Sequence, residues 1–198
     1  KETATLVERE THRYGTMIHK LADKSKSPAE FAIAMEIYQV YLKNFPANDN
    51  AVDVRFYLAS IQFDQGIFAQ AAENYLVVAK DKSKKHYEPS MKSAVVALQN
   101  ATTKDIQEAR ANPAKKETKI PTLVASLLSA LDFVAKEIPR DPETVSMRFS
   151  AAEIHLLYGL SAEAITRFTD LAIDQIVTPQ GEAAAKMVMT QHKESKNW

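Results

Sequence analysis

The chain contains no cysteine. Disulfides, thiolate nucleophiles and cysteine-ligated zinc are thereby excluded; an oxidising periplasm would suit such a chain without being required by it. Glycine is scarce, at 4 among 198 residues, while alanine is abundant along most of the length. That pairing favours helix over sheet, because alanine gives up no side-chain entropy on entering a helix. Neither sign of charge is in excess: basic and acidic residues stand at 25 each. No global field therefore draws the chain to nucleic acid or to an anionic membrane. Apolar runs long enough to cross a membrane are missing, since that takes roughly 18 consecutive residues. A signal-peptide pattern is missing too, and the first residue is Lys1 rather than Met, so a removed leader or a segment of something larger is expected. What remains, 45% apolar and 25% charged, is the balance of a packed protein rather than a disordered one.

The sequence says nearly the same thing twice. RFYLASIQFDQG at residues 55–66 returns as RFSAAEIHLLYG at residues 148–159, an offset of 93. The same offset pairs Pro46 with Pro139, Ala59 with Ala152, Ile61 with Ile154, Ala71 with Ala164, Tyr75 with Phe168 and Ala79 with Ala172, without a gap. Each copy has a physical reading. Phe56, Ala59 and Phe63, and likewise Phe149, Ala152 and Leu156, recur at helical spacing. Gly66 and Gly159 then stand where a helix must stop and a residue tolerant of positive φ is favoured. In the helix that follows, a small residue lets the paired helix come close, and the ring one turn later fills the space beside it. Each copy is expected to be a helix–turn–helix hairpin.

These residues resemble the tetratricopeptide repeat (TPR) family, whose signature has a small residue after Leu in the first helix, a turn Gly, Ala-x-x-x-aromatic, and a closing Pro. Leu58-Ala59, Gly66, Ala71 and Tyr75 match it; so do Ala151-Ala152, Gly159, Ala164 and Phe168, with Ser161 where an aromatic is usual. Ala34, Tyr38 and Pro46 make an earlier half-match whose first helix is the weakly patterned stretch 7–24. The first-helix tryptophan position holds Arg55 and Arg148 instead, each expected to lay its stem over the helix with its head in solvent. From Ala34 to Ala71 is 37 residues, close to the roughly 34 of a standard repeat. The longer offset of 93 leaves a surplus, and the polar, proline-broken stretch 102–119 is its home: an extended helix followed by a protruding loop. After it, residues 120–139 read as a strongly apolar helix with Leu123, Leu127, Leu131, Val134 and Ile138 on one face. The expected fold is all-α, an α-solenoid of about four TPR-like hairpins (about 5–46, 50–83, 87–139 and 143–175) plus a final helix at 179–195.

Chemistry-bearing motifs are few. There is no phosphate-cradling glycine loop, no H-E-x-x-H and no G-x-S-x-G around Ser60 or Ser150, so neither catalytic residues nor a cofactor is assigned. His12 and His19 can share a helix face with Glu8 one turn before, but a metal needs a third ligand in the right geometry, and no metal is assigned. The sequon at Asn100 lies within an expected helix. The basic run KDKSKKH, residues 80–86, reads as a solvated turn whose lysines complement a helix C-terminus. Without interleaved aromatics it is no nucleic-acid patch.

The TPR resemblance implies a concave groove, lined by the first helices of successive repeats, that grips a partner peptide or helix. The matching positions here are Asp53, Phe56, Ser60, Phe63 and Asp64 in one repeat, and Ser146, Phe149, Glu153 and Leu156 in another. Phe56, Phe63 and Phe149 serve equally well as inter-repeat core. The acids would suit a polar or basic partner. The subtype that clamps a C-terminal carboxylate is not indicated, because His19, Asp23, Phe56 and Ser60 stand at corresponding positions. Y-L-K-N-F-P followed by R-F-Y-L-A and a turn glycine is similar to TPR segments of Gram-negative envelope proteins: the β-barrel assembly lipoprotein, Tol–Pal-associated and gliding-motility TPR proteins. The implied function is a non-enzymatic scaffold in the periplasm or cell envelope, with protein partners such as envelope complex subunits, no nucleic acid and no membrane span. The alternative is a helical accessory domain of a larger envelope enzyme acting on cell-wall polymer. Self-association through apolar array ends is a third expectation.

Overall fold

The computed structural model describes residues 2–82, 85–111 and 119–194. Among them the chain is all-α, with no strand and nine helices: α1 (Glu2–Ser25), α2 (Pro28–Asn44), α3 (Ala51–Asp64), α4 (Phe68–Val78), α5 (Tyr87–Ala111), α6 (Thr122–Glu137), α7 (Pro142–Leu157), α8 (Ser161–Asp174) and α9 (Pro179–Glu194). This is the helical-repeat solenoid class that the sequence implied. Helix α5 carries the charged stretch as far as Ala111, and the expected loop at 112–118 lies outside the described residues. No helix is long and apolar enough to cross a membrane among the described residues.

The chain forms two compact units, Lys1–Asn100 and Ala101–Trp198. In the first, α1 packs on α2, α2 on α3, and α3 on α4; in the second, α6 packs on α7, α7 on α8, and α8 on α9. The first core gathers Phe31, Ala34, Tyr38 and Tyr41 of α2 with Val54, Leu58 and Ile61 of α3. In the second, Ala152 of α7, Ala164, Phe168 and Leu171 of α8 and Ala184 of α9 meet.

The 93-residue offset extends well beyond the quoted hairpins. Buried positions 31, 34, 38 and 41 of α2 map onto buried 124, 127, 131 and 134 of α6. On α3, buried Ala51, Leu58, Ala59, Ile61 and Gln62 map onto Thr144, Ala151, Ala152, Ile154 and His155 of α7. Ala71, Tyr75 and Val78 map onto Ala164, Phe168 and Leu171. The connecting backbone repeats as well. Phe45 and Ile138 close α2 and α6 at φ/ψ of −130/47° and −128/60°. Sequence identity is low between α2 and α6, so what is conserved between the copies is which side of each helix loses its water.

Both hairpin turns end their first helix in the same way. Gly66 and Gly159 adopt φ of 75° and 79°. The N–H groups beyond them reach back five residues, Ile67 to Gln62 O at 2.7 Å and Leu160 to His155 O at 2.9 Å. Those are the bonds of a Schellman closure, which satisfies helix-end carbonyls at the cost of one left-handed residue. At the other ends, Ser27 and Asp141 cap α2 and α7 from the side chain, each followed by a proline at the first helical position.

A side chain at residue 66 would meet nothing within 4 Å. Gly66→Ala therefore isolates the left-handed backbone and should lower unfolding stability in urea by about 1–2 kcal/mol. An unchanged midpoint would mean that the turn relaxes at no cost.

Candidate functional site

None of the nine positions singled out on α3 and α7 is fully buried. Asp64 and Ser146 are exposed, and Asp53, Phe56, Ser60, Phe63, Phe149, Glu153 and Leu156 are half-buried. The reason is helical geometry: these residues flank the stripe of α3 that faces the core through Val54, Leu58 and Ile61.

The rings among them do more than line a surface. Phe56 stacks face to face on His86, with centroids 4.0 Å apart and planes at 7°, and meets Tyr75 of α4 edge-on at 5.7 Å. It thus ties α3 to α4 and to the residue preceding α5. Phe63 packs edge-on against Phe68 at 5.3 Å, and Phe149 against Phe168 at 5.2 Å within the second core. Ser60 lies against Tyr75, whose hydroxyl is held above the ordinary phenol value by burial, with Ser60 and Ser93 opposing the shift. The two of the nine that are exposed are polar, Asp64 on α3 and Ser146 on α7.

His86 belongs to the run read from sequence as a solvated turn. Lys80, Lys82 and Lys85 are indeed exposed, but the imidazole is buried under Phe56. Its Nε2 lies 3.3 Å from Asp53 Oδ1, near enough for attraction, yet misaligned, so this buried nitrogen has no hydrogen-bond partner. Nothing in a lysine-rich run foretells this; the stack is made by a residue 30 positions upstream.

The face of α1 also departs from a solvated surface. Glu8 is buried, accepts the Tyr41 hydroxyl and takes Asn50 Nδ2 at 3.3 Å, so its carboxylate is committed to joining α1, α2 and the start of α3. His12 leans on the Tyr41 ring. His19 sits among Phe31, Tyr38 and Tyr57, with Nδ1 at 3.2 Å from the Tyr38 hydroxyl. Burial pushes Tyr38 up to about 12. The same burial holds His19 below the ordinary imidazole value, while the carboxylates of Asp23 and Asp64 pull part of the way back. Among the described residues, no three His, Asp or Glu side chains converge as metal ligands would.

Arg55 and Arg148 likewise differ from stems with solvated heads. Each spans to the second helix of its own hairpin, Arg55 to Asn74 of α4 at 2.9 Å and Arg148 to Asp174 of α8 at 2.8 Å.

A histidine kept neutral by burial favours folding above its unfolded value and opposes it as protons bind the unfolded chain first. The first unit should accordingly lose stability as pH falls below about 6.5. His19→Gln should make that fall shallower, measured by urea unfolding between neutral and mildly acid pH. An equally steep fall would assign the acid sensitivity elsewhere. No family model matches the chain, and no curated protein matches it either.

Proposed function

We propose that this chain is a TPR-type, non-enzymatic scaffold of the bacterial periplasm or cell envelope, each unit offering a protein partner a solvent-facing helix flank of its own, that of α3 in the first unit and that of α7 in the second. The observation that carries the reading is the partition along these two helices. Val54, Leu58 and Ile61 on α3, and Ala151, Ala152 and Ile154 on α7, are spent on the core. Asp53, Ser60, Asp64, Ser146 and Glu153 are not, and each falls where the TPR resemblance puts partner contacts. Phe56, Phe63 and Phe149 support that surface from beneath, since aromatic packing holds the helices that present it.

Acids at Asp53 and Asp64 on one unit, and at Glu153 on the other, favour a partner segment bearing Lys or Arg. Exposed charges of this kind steer association and choose between partners more than they add affinity. The envelope assignment rests on the run Y-L-K-N-F-P before R-F-Y-L-A.

A photo-crosslinking residue at Ser60 or Ser146 should capture the same protein from envelope extract, whereas one at Thr166, on the second helix of a hairpin, should not. Asp53→Lys with Glu153→Lys should cut the yield at least fivefold at low salt, with helical content unchanged by circular dichroism. Capture that is equal at all three positions, or indifferent to the charge reversals, would remove the first-helix flanks as the binding surface.

A further inference from the structure

Because the two units repeat at the same offset, each serves as a control for the other. On the flank of the second unit where α6, α7 and α8 meet, two arginines are both matched by acids. Arg148 Nη2 holds Asp174 Oδ2 at 2.8 Å. Arg167 forks onto Asp132, at 2.6 and 2.8 Å to the two carboxylate oxygens. A bidentate fork of this kind satisfies the guanidinium geometry as well as its charge.

The first unit keeps only one of the two arginines. Arg55 takes the place of Arg148, but Gln39 stands where Asp132 stands, and Asn74 where Arg167 does. Asp81 corresponds to Asp174, yet α4 ends at Val78 whereas α8 runs on to Asp174, so Asp81 lies beyond the helix and is engaged elsewhere. Arg55 is left with a neutral partner, Asn74 Oδ1. Among the described residues no carboxylate comes within ion-pairing distance of it.

That guanidinium opens onto a cleft of about 400 Å³ between α2, α3 and α4, edged by Gln39, Gln62, Gln70, Glu73 and Asn74. The amides are pre-oriented. Asn74 Nδ2 donates to Gln62 Oε1 at 2.8 Å and Gln62 Nε2 to Gln70 Oε1 at 3.2 Å, which turns the Asn74 oxygen to Arg55. Gln62 itself is buried, so this chain is fixed rather than floating on the surface. A guanidinium has five N–H donors, and one acceptor leaves most of them unspent. Burial lowers Arg55 below the ordinary arginine value, a sign that water has been partly stripped from it, though it stays charged.

We propose that this cleft is a carboxylate-binding site in which Arg55 receives a single acid group, an Asp or Glu side chain of a partner polypeptide or a small free carboxylate. The ligand would stand where Asp132 and Asp174 stand internally in the second unit. Glu73 at the rim repels further negative charge, which selects one carboxylate over a polyacid or a phosphate dianion. The cleft opens on a different flank of α3 from Phe56 and His86, so it does not rest on the partner surface proposed above.

The test is an NMR titration of the intact chain, following the Arg55 Nε–H and Asn74 side-chain amide signals. The probes are acetyl-Ala-Ala-Glu-Ala-Ala-amide, its glutamine counterpart and sodium propionate. A saturable shift with the glutamate peptide and none with the glutamine peptide supports a polypeptide ligand. Saturation by propionate alone supports a small free acid. Arg55→Gln, read at Asn74, should weaken binding at least about tenfold, and Gln39→Asp should do the same by supplying an internal carboxylate. Glu73→Gln should tighten it. Absence of any saturable shift, or unchanged affinity in Arg55→Gln, overturns the proposal.

Discussion

The close approach of paired helices over small residues is the constraint on which the rest of this molecule depends. Ala59 and Ala71 in one hairpin, and Ala152 and Ala164 in the other, have no exposed surface. A larger side chain at any of them would hold α3 from α4, or α7 from α8. The ring one turn after the second alanine, Tyr75 or Phe168, would then lose the packing that makes it worth burying. The left-handed glycines serve the same contact. By closing each first helix within one turn, Gly66 and Gly159 return the chain early enough for the second helix to lie against the first.

Polar groups buried inside this frame act as fasteners between elements. Glu8, Tyr41, Asn48 and Asn50 form one set, in which Tyr41 meets both Glu8 and Asn48 and the Asn48 side chain accepts the Asn50 N–H at 2.9 Å. A buried carboxylate is tolerated only because hydrogen bonds answer it. The chain from Arg55 through Asn74 and Gln62 to Gln70 is a second set on another flank, built from amides. The two sets differ in completeness. Glu8 is answered by a hydroxyl and an amide, whereas Arg55 keeps donors to spare. His86 shows the same contrast within one ring, one face covered by Phe56 and one nitrogen unanswered beside Asp53.

The two units are alike in their interiors and less alike on their flanks. Burial repeats at corresponding positions of α2 and α6, α3 and α7, and α4 and α8, even where Tyr38 and Tyr41 have become Leu131 and Val134. Interiors tolerate a change of side chain if the apolar face is kept. The flanks carry no such restraint: around the arginine that both copies keep, Arg55 and Arg148, Gln39 and Asn74 stand where the second unit has Asp132 and Arg167.

The helical class, the hairpins and the glycine closures were legible in the sequence, because each is written in local spacing: alanine four before a ring, a glycine after an apolar stripe, an apolar face on residues 120–139. Periodicity and turn chemistry act over a few residues, and a sequence displays them directly. Which atoms those helices bring together was decided only by the tertiary structure. That His86 would lie under Phe56, that Glu8 would be buried against Tyr41, and that Arg55 and Arg148 would meet different partners from the same repeat position are not local properties. The last case turns on α8 running to Asp174 while α4 stops at Val78, a difference in helix length that changes which carboxylate an arginine 26 residues upstream can reach. Charge and hydrogen-bond partners are chosen by position in space, and the order of residues along the chain constrains that position only once the helices have packed.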